Sequence, residues 1–135
     1  MAVKMAAFVR NAIVDSIETS IGTSPVMKIF TGAPPTNPSD ADSGTVLATI
    51  NLPSDWMAAA VSGVKVKAGT WQDNSADATG TAGHFRIYQS DGTTVAMQGT
   101  VTATGGGGDA TINNTSITTG QPVTVVTFTM TAPHA

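Results

Sequence analysis

Residues 85–101, FRIYQSDGTTVAMQGTV, constrain the fold more than any other part of this chain. Phe85 and Ile87 alternate with His84, Arg86 and Tyr88, and Val95, Met97 and Val101 alternate with Ala96, Gln98 and Thr100. Period-two alternation on both sides of an Asp91-Gly92 step marks an antiparallel hairpin, because glycine takes positive φ without steric cost. Gly99 interrupts the second run, which points to a bulge or to close packing. A hairpin with one apolar face needs a second layer to cover that face.

The rest of the chain supplies candidates for that layer. In MAAFVRNAIVDSIETSIG, Met5, Val9, Ile13, Ile17 and Ile21 recur every fourth residue, with Arg10, Asp15, Glu18 and Thr19 mainly elsewhere on the wheel. The spacing predicts an amphipathic helix over 3–22, capped by Gly22 and stopped by Pro25. It covers the chain's own sheet or docks on a neighbouring subunit. VMKIFTG (26–32), VLATINL (46–52) and VKVKAGTW (64–71) read as strands, the last with Val64 and Val66 opposite Lys65 and Lys67. APPTNPSDADSGT (33–45) and QDNSADATGTAG (72–83) read as polar loops, the first a long extended one. TGGGGDA (104–110) reads as a flexible link. Two strands follow, the second long. There Val126, Phe128 and Met130 share one parity while Val123 and Val125 have the other, so a bulge or a stretch buried on both faces is expected. One helix and seven or eight strands predict an all-β fold: an antiparallel, jelly-roll-like β-sandwich with one N-terminal α-helix. We assign residues 1–135 to a single domain, with the sandwich over 26–131 and a Pro-rich extended loop over 33–45.

Composition narrows the function classes. Charged residues make up only 11% of the chain, and 22 Thr and 10 Ser take up the polar share. Such a surface is neutral and hydrogen-bonding, with little like-charge repulsion against association. Lys4, Arg10, Lys28, Lys65, Lys67 and Arg86 are scattered and the net charge is −3, so no basic patch for nucleic acid is expected. There is no cysteine for disulfides or thiolate metal sites. No apolar run approaches a membrane span, and Arg10, Asp15 and Glu18 interrupt any secretory h-region, so folding in the cytosol is expected. The sequon at Asn113 reads as chance.

Chemical motifs are sparse. His84 reads as a solvent-facing strand residue and His134 lies in the tail; no G-x-S-x-G elbow accompanies them. Glu18, the only glutamate, sits on the helix and has no facing carboxylate partner in prospect. Asp40-Ala41-Asp42-Ser43-Gly44 and Asp73-Asn74-Ser75-Ala76-Asp77 alternate oxygen side chains as calcium loops do. Both lack the required glycine offset and distal Glu, so they read as solvated turns. Glycines 105–108 lack the Lys-Ser/Thr ending of a phosphate loop. Trp56, Trp71 and Tyr88 suit either a core or an aromatic sugar-binding platform. No catalytic, cofactor or metal residue is assigned, and no enzymatic activity is expected.

Four segments carry a family resemblance: KIFTGAPP, GTVLATINLP, ATGTAGHFRIYQSDGTTVAMQGTV and ITTGQPVTVVTFTMT, following an N-terminal helix. In this order they resemble small virion structural proteins of tailed bacteriophages, over about residues 8–131. The most specific part is GTAGHFRIYQSDGTTVAMQG. The resemblance implies a head decoration or cement protein that binds the major capsid protein as a homo-oligomer in the virion, assembled in the host cytoplasm. The alternative it leaves is a tail or collar component; Trp56 and Trp71 leave a second one outside the resemblance, a carbohydrate-binding sandwich in host attachment. It carries over no catalytic residue, cofactor, nucleic-acid partner or membrane partner.

Overall fold

A computed structural model describes residues 3–135; the first two residues of the assigned domain lie outside the described residues. The helix α1 (Ala7–Ile21) is followed by nine strands: β1 (Val26–Thr31), β2 (Val46–Asn51), β3 (Val64–Val66), β4 (Gln72–Asp73), β5 (Gly80–Tyr88), β6 (Val95–Ala103), β7 (Ala110–Ile112), β8 (Ser116–Ile117) and β9 (Val123–Thr131). The chain is therefore mostly β with a single N-terminal helix, as the alternation and turn signals predict.

The strands form one hydrogen-bonded path in the order β2-β1-β5-β6-β7-β9-β3, with β4 on β9 and β8 on β5. The expected hairpin is its centre: Phe85 pairs with Gly99, Arg86 with Gln98 and Ile87 with Met97. Its turn is held by Asp91, whose carboxylate accepts from the backbone N–H of Thr93 and Thr94 at 2.9 Å each. Gly99 marks close packing, since a Cβ there would sit 2.7 Å from the Phe85 ring.

The strictly antiparallel expectation is corrected at one joint. β6 and β7 run parallel, Thr102 beside Thr111. Parallel neighbours ordinarily need a crossover of a dozen or more residues. Here the glycine run makes the return instead, with Gly106 and Gly108 packed on Thr102 while Gly105 and Gly107 stand open. Gly108 N donates to Thr102 Oγ1 at 3.0 Å, and a Cβ on Gly108 would stand 2.8 Å from Thr102 N. Only a chain without side chains can double back so close to the strand it has just left.

The sheet curls into a half-barrel. Phe85 on β5 meets Phe128 on β9 edge-on at 5.7 Å, although β6 and β7 lie between their strands. Trp71 links Phe128 (5.3 Å) to Trp56 (6.0 Å), and Met27, Ile29, Leu47, Ile50 and Ile87 complete the core. At the far edge Thr49 N donates to Asp73 Oδ2 at 3.0 Å and Asp77 N to the Leu47 carbonyl at 2.8 Å, drawing β2 towards β4. The expected bulge in β9 falls at Val126: Thr111 pairs with Thr127 and Ile112 with Val125, so Val126 is skipped and turned outward.

Three elements differ from their sequence readings. The stretch 72–83, read as a polar loop, holds β4 and the first four residues of β5, because Gln72 and Asp73 pair with β9 and Gly80 and Thr81 with β8. The third strand stops at Val66, and Gly69 takes φ +70 soon after. The helix starts at Ala7 and buries Arg10, Val14 and Ile21; of the anticipated stripe only Ile21 is fully covered. A spacing of four drifts by about 40° per step on a helix of 3.6 residues per turn. Five residues so spaced cannot share one narrow face.

Candidate functional site

The outward face of the curled sheet is divided into two unlike halves. Across β1, β5 and β6 the register aligns Phe30 with His84 and Thr100, and Lys28 with Arg86 and Gln98. Across β6, β7 and β9 it aligns Thr102, Thr111 and Thr127, and β3 adds Val66 beside Thr129 and Val64 beside Thr131. The first half is covered by the loop 33–45. The second is bare.

The loop is pinned at its base by its flanking residues. Thr31 N donates to the Thr45 carbonyl at 3.1 Å, and Thr45 N to Thr31 Oγ1 at 2.9 Å. Gly44 lies inside this closure with φ +78, where a Cβ would fall 2.3 Å from the Thr31 carbonyl oxygen. The body of the loop is then strapped to the sheet by the fully buried Arg86. Its Nη1 donates to the Asp40 carbonyl (2.8 Å) and Asp42 Oδ1 (2.9 Å), its Nη2 to the Asn37 carbonyl (3.2 Å) and its Nε to Gln98 Oε1 (3.1 Å). Gln98 Nε2 donates to the Pro35 carbonyl, and Tyr88 OH to Asp42 Oδ1 at 2.8 Å. Burial, followed by the hydrogen bond to Asp42 and its charge, holds the Tyr88 phenol well above its ordinary pKa. Lys28 Nζ lies 4.7 Å from the centre of the Tyr88 ring. A pocket of roughly 370 Å³ opens between loop residues 38–42 and Thr93 of the turn and Val95 at the start of β6, with Arg86 also lining it.

His84 is buried, contrary to the solvent-facing position expected of it. Its ring stacks on Phe30, 4.9 Å between centroids and 6° between planes. Nδ1 lies 2.8 Å from the Gly32 carbonyl, which accepts, so Nδ1 carries the proton; Nε2 has no hydrogen-bond partner among the described residues. The loop that covers Arg86 covers this face too, and a strand with both faces covered loses the polar side its alternation suggested.

The bare half is uncharged over most of its extent. Thr127 and Thr129 are exposed, and Val66 and Val126 keep 45% and 42% of their surface in water. These valines flank a shallow groove between β3 and β9. Asp109 at its border accepts from Thr100 N at 2.9 Å and from Thr100 Oγ1 at 3.0 Å.

The helix is latched by polar contacts. Arg10 donates to the carbonyls of Ser62 (2.8 Å), Ala132 (2.9 Å) and Pro133 (3.3 Å), and Gly63 N donates to Asn11 Oδ1 at 2.7 Å. Lys65 reaches Asp15 at 2.6 Å and Glu18 at 2.8 Å. Burial pushes the Lys65 pKa down, but the hydrogen bonds and charges of both carboxylates outweigh it and raise it overall. Phe8 stays 76% exposed on the helix's outer side.

The other residues singled out from sequence have structural posts. Glu18 is a helix-latch carboxylate. Asp73 accepts from Ser75 N and Thr49 N, and Asp77 from Thr49 Oγ1. Trp56, Trp71 and Tyr88 are all buried and present no exposed aromatic platform. His134 lies exposed in the tail, its carbonyl accepting from Met5 N at 2.9 Å. Arg86, which the sequence reading placed among scattered cations, is the centre of the strap. Its signal was a lone arginine inside a strand, near in the fold to a long Asp-rich loop that had to land somewhere.

No family model matches this chain, and no curated protein or solved structure matches it either.

Proposed function

We propose that this protein is a non-enzymatic structural component of a tailed-phage virion, binding the capsid surface as a homo-oligomeric decoration or cement protein. The observation that carries the reading is the bare half of the outer sheet face. Threonine hydroxyls and valine methyls lie side by side there, suited to a broad contact with a protein lattice. The buried charges support it as well: Arg10, Lys65 and Arg86 are each spent on holding a helix or a loop in place. A flattened, jelly-roll-like packing of the curled sheet belongs to the same proposal, supported by the contact of Phe85 with Phe128 across the interior. Many weak contacts on a repeating shell add up to firm retention. The test adds purified protein to heads that lack it. Binding in fixed stoichiometry together with raised heat resistance supports the reading; protein that stays in the supernatant refutes it.

A further inference from the structure

We infer that loop 33–45 is an exchangeable arm: it seats on Arg86 and Tyr88 of its own chain or, equivalently, of a second copy. The inference goes beyond the virion reading and does not depend on it.

The loop sits on the body as a ligand sits on a receptor. Residues 36–45 are all exposed, so the loop drives no side chain into the core. What holds its body down is a set of side-chain tips from β5 and β6, which meet three loop carbonyls and the Asp42 carboxylate. All of these contacts lie on the outer face. Lifting the loop leaves Met27, Ile29 and Phe85 packed.

The receptor is costly to leave empty. Arg86 and Tyr88 are buried under the loop, and a buried guanidinium without its carboxylate and carbonyls is strongly unfavourable. A replacement must supply a carboxylate flanked by free carbonyls on an extended, Pro-rich backbone. The same loop on another copy supplies that set atom for atom, which makes exchange a low-cost route to association.

Reach is present, and the ends of the loop are local. Gly32 and Gly44 take φ +78 there, and exchange has the Thr31–Thr45 closure and the His84 bond to the Gly32 carbonyl to break at the base. Thirteen residues doubled back extend about 20 Å, beyond the roughly 14 Å radius of gyration expected of a domain this size. The pocket beside residues 38–42 leaves room for movement. A net charge of −3 puts little repulsion between copies.

The test uses a photo-crosslinking amino acid at Ala41, which is exposed and lines the pocket opposite Thr93 and Val95. Chains of natural and ¹⁵N isotope content are mixed in equal amounts, both as folded proteins and refolded together, then irradiated. The crosslinked peptides joining the loop to residues 89–98 are read by mass spectrometry. Exchange predicts mixed-isotope pairs, approaching half of all such pairs at high protein concentration and falling on dilution. Pairs of a single isotope type at every concentration would overturn the inference, and so would a loop that crosslinks nowhere on the hairpin. Neither result bears on capsid binding, which is measured separately on particles.

Discussion

At the scale of single residues, Arg86 does the most. It is a strand residue whose four hydrogen-bonded partners come from the loop and from β6, and its side chain has no exposed surface. Arg86→Ala removes a buried cation and leaves a void under the loop, so a loss of about 2–4 kcal/mol is expected from denaturant unfolding. Lys67, a half-buried residue whose Nζ meets the Gly69 carbonyl at the surface, is the control; Lys67→Ala is expected to change stability by less than about 0.5 kcal/mol. Asp91 supports a prediction in pH. Hydrogen bonds from the Thr94 hydroxyl and from the Thr94 and Thr93 amides lower its pKa to about 2. A depressed carboxylate stabilises the fold above its unfolded pKa and loses that contribution as the pH falls through the folded value. The unfolding midpoint of the wild type is therefore expected to approach that of Asp91→Asn between about pH 4 and pH 2; a gap constant across that range contradicts the turn's geometry. Asp91-Gly92 was legible beforehand because turn chemistry is local. His84 and Arg86 were not, because alternation tells which residues share a face and is silent about what a loop forty residues away lays over that face.

At the scale of elements, local signals located the pieces and tertiary contacts corrected their extent. The hairpin, the β9 bulge and the Gly22 stop were all readable, since each rests on period or on backbone freedom within a few residues. The helix stripe was misplaced because Arg10, a residue that pattern reading assigns to water, found two carbonyls at the chain's other end and a third at Ser62. The parallel β6–β7 joint was hidden because a glycine run carries no side-chain pattern from which the direction of the returning strand can be read. The latch of α1 makes a prediction that runs opposite in sign to the one for Asp91. The Lys65 pKa is raised above its ordinary 10.5, so its contribution is complete below that value and is lost as the pH climbs through the folded pKa. Circular dichroism above pH 10.5 should show α1 loosening before the sheet melts. Lys65→Met removes the titrating group and should flatten that alkaline step. A step of equal size in the variant would mean that the ion pair to Asp15 and Glu18 does not hold the helix down.

At the scale of the whole molecule, the curled sheet packs Trp56, Trp71, Phe85 and Phe128 inside and divides its outer face between a strap over Phe30 and Tyr88 and open threonine. The proposed function makes the bare half the surface that a shell contacts. Val66 and Val126 allow that to be tested without unfolding the protein. Both are large apolar residues partly in water, on opposite sides of the groove between β3 and β9, and neither belongs to the core cluster. Changing both to lysine places two cations on a face that otherwise has few, and long side chains there extend into solvent. The melting temperature of Val66→Lys/Val126→Lys is expected to stay within a few degrees of wild type, since exposed substitutions cost about 0.5 kcal/mol or less each. Binding to protein-deficient heads is expected to fall at least tenfold, because two desolvated charges without partners cost far more than the ~1.4 kcal/mol that a tenfold change requires. Phe8→Lys on the helix's outer side separates the two exposed apolar surfaces. If it abolishes binding while the lysine pair leaves it intact, the helix rather than the sheet is the docking face.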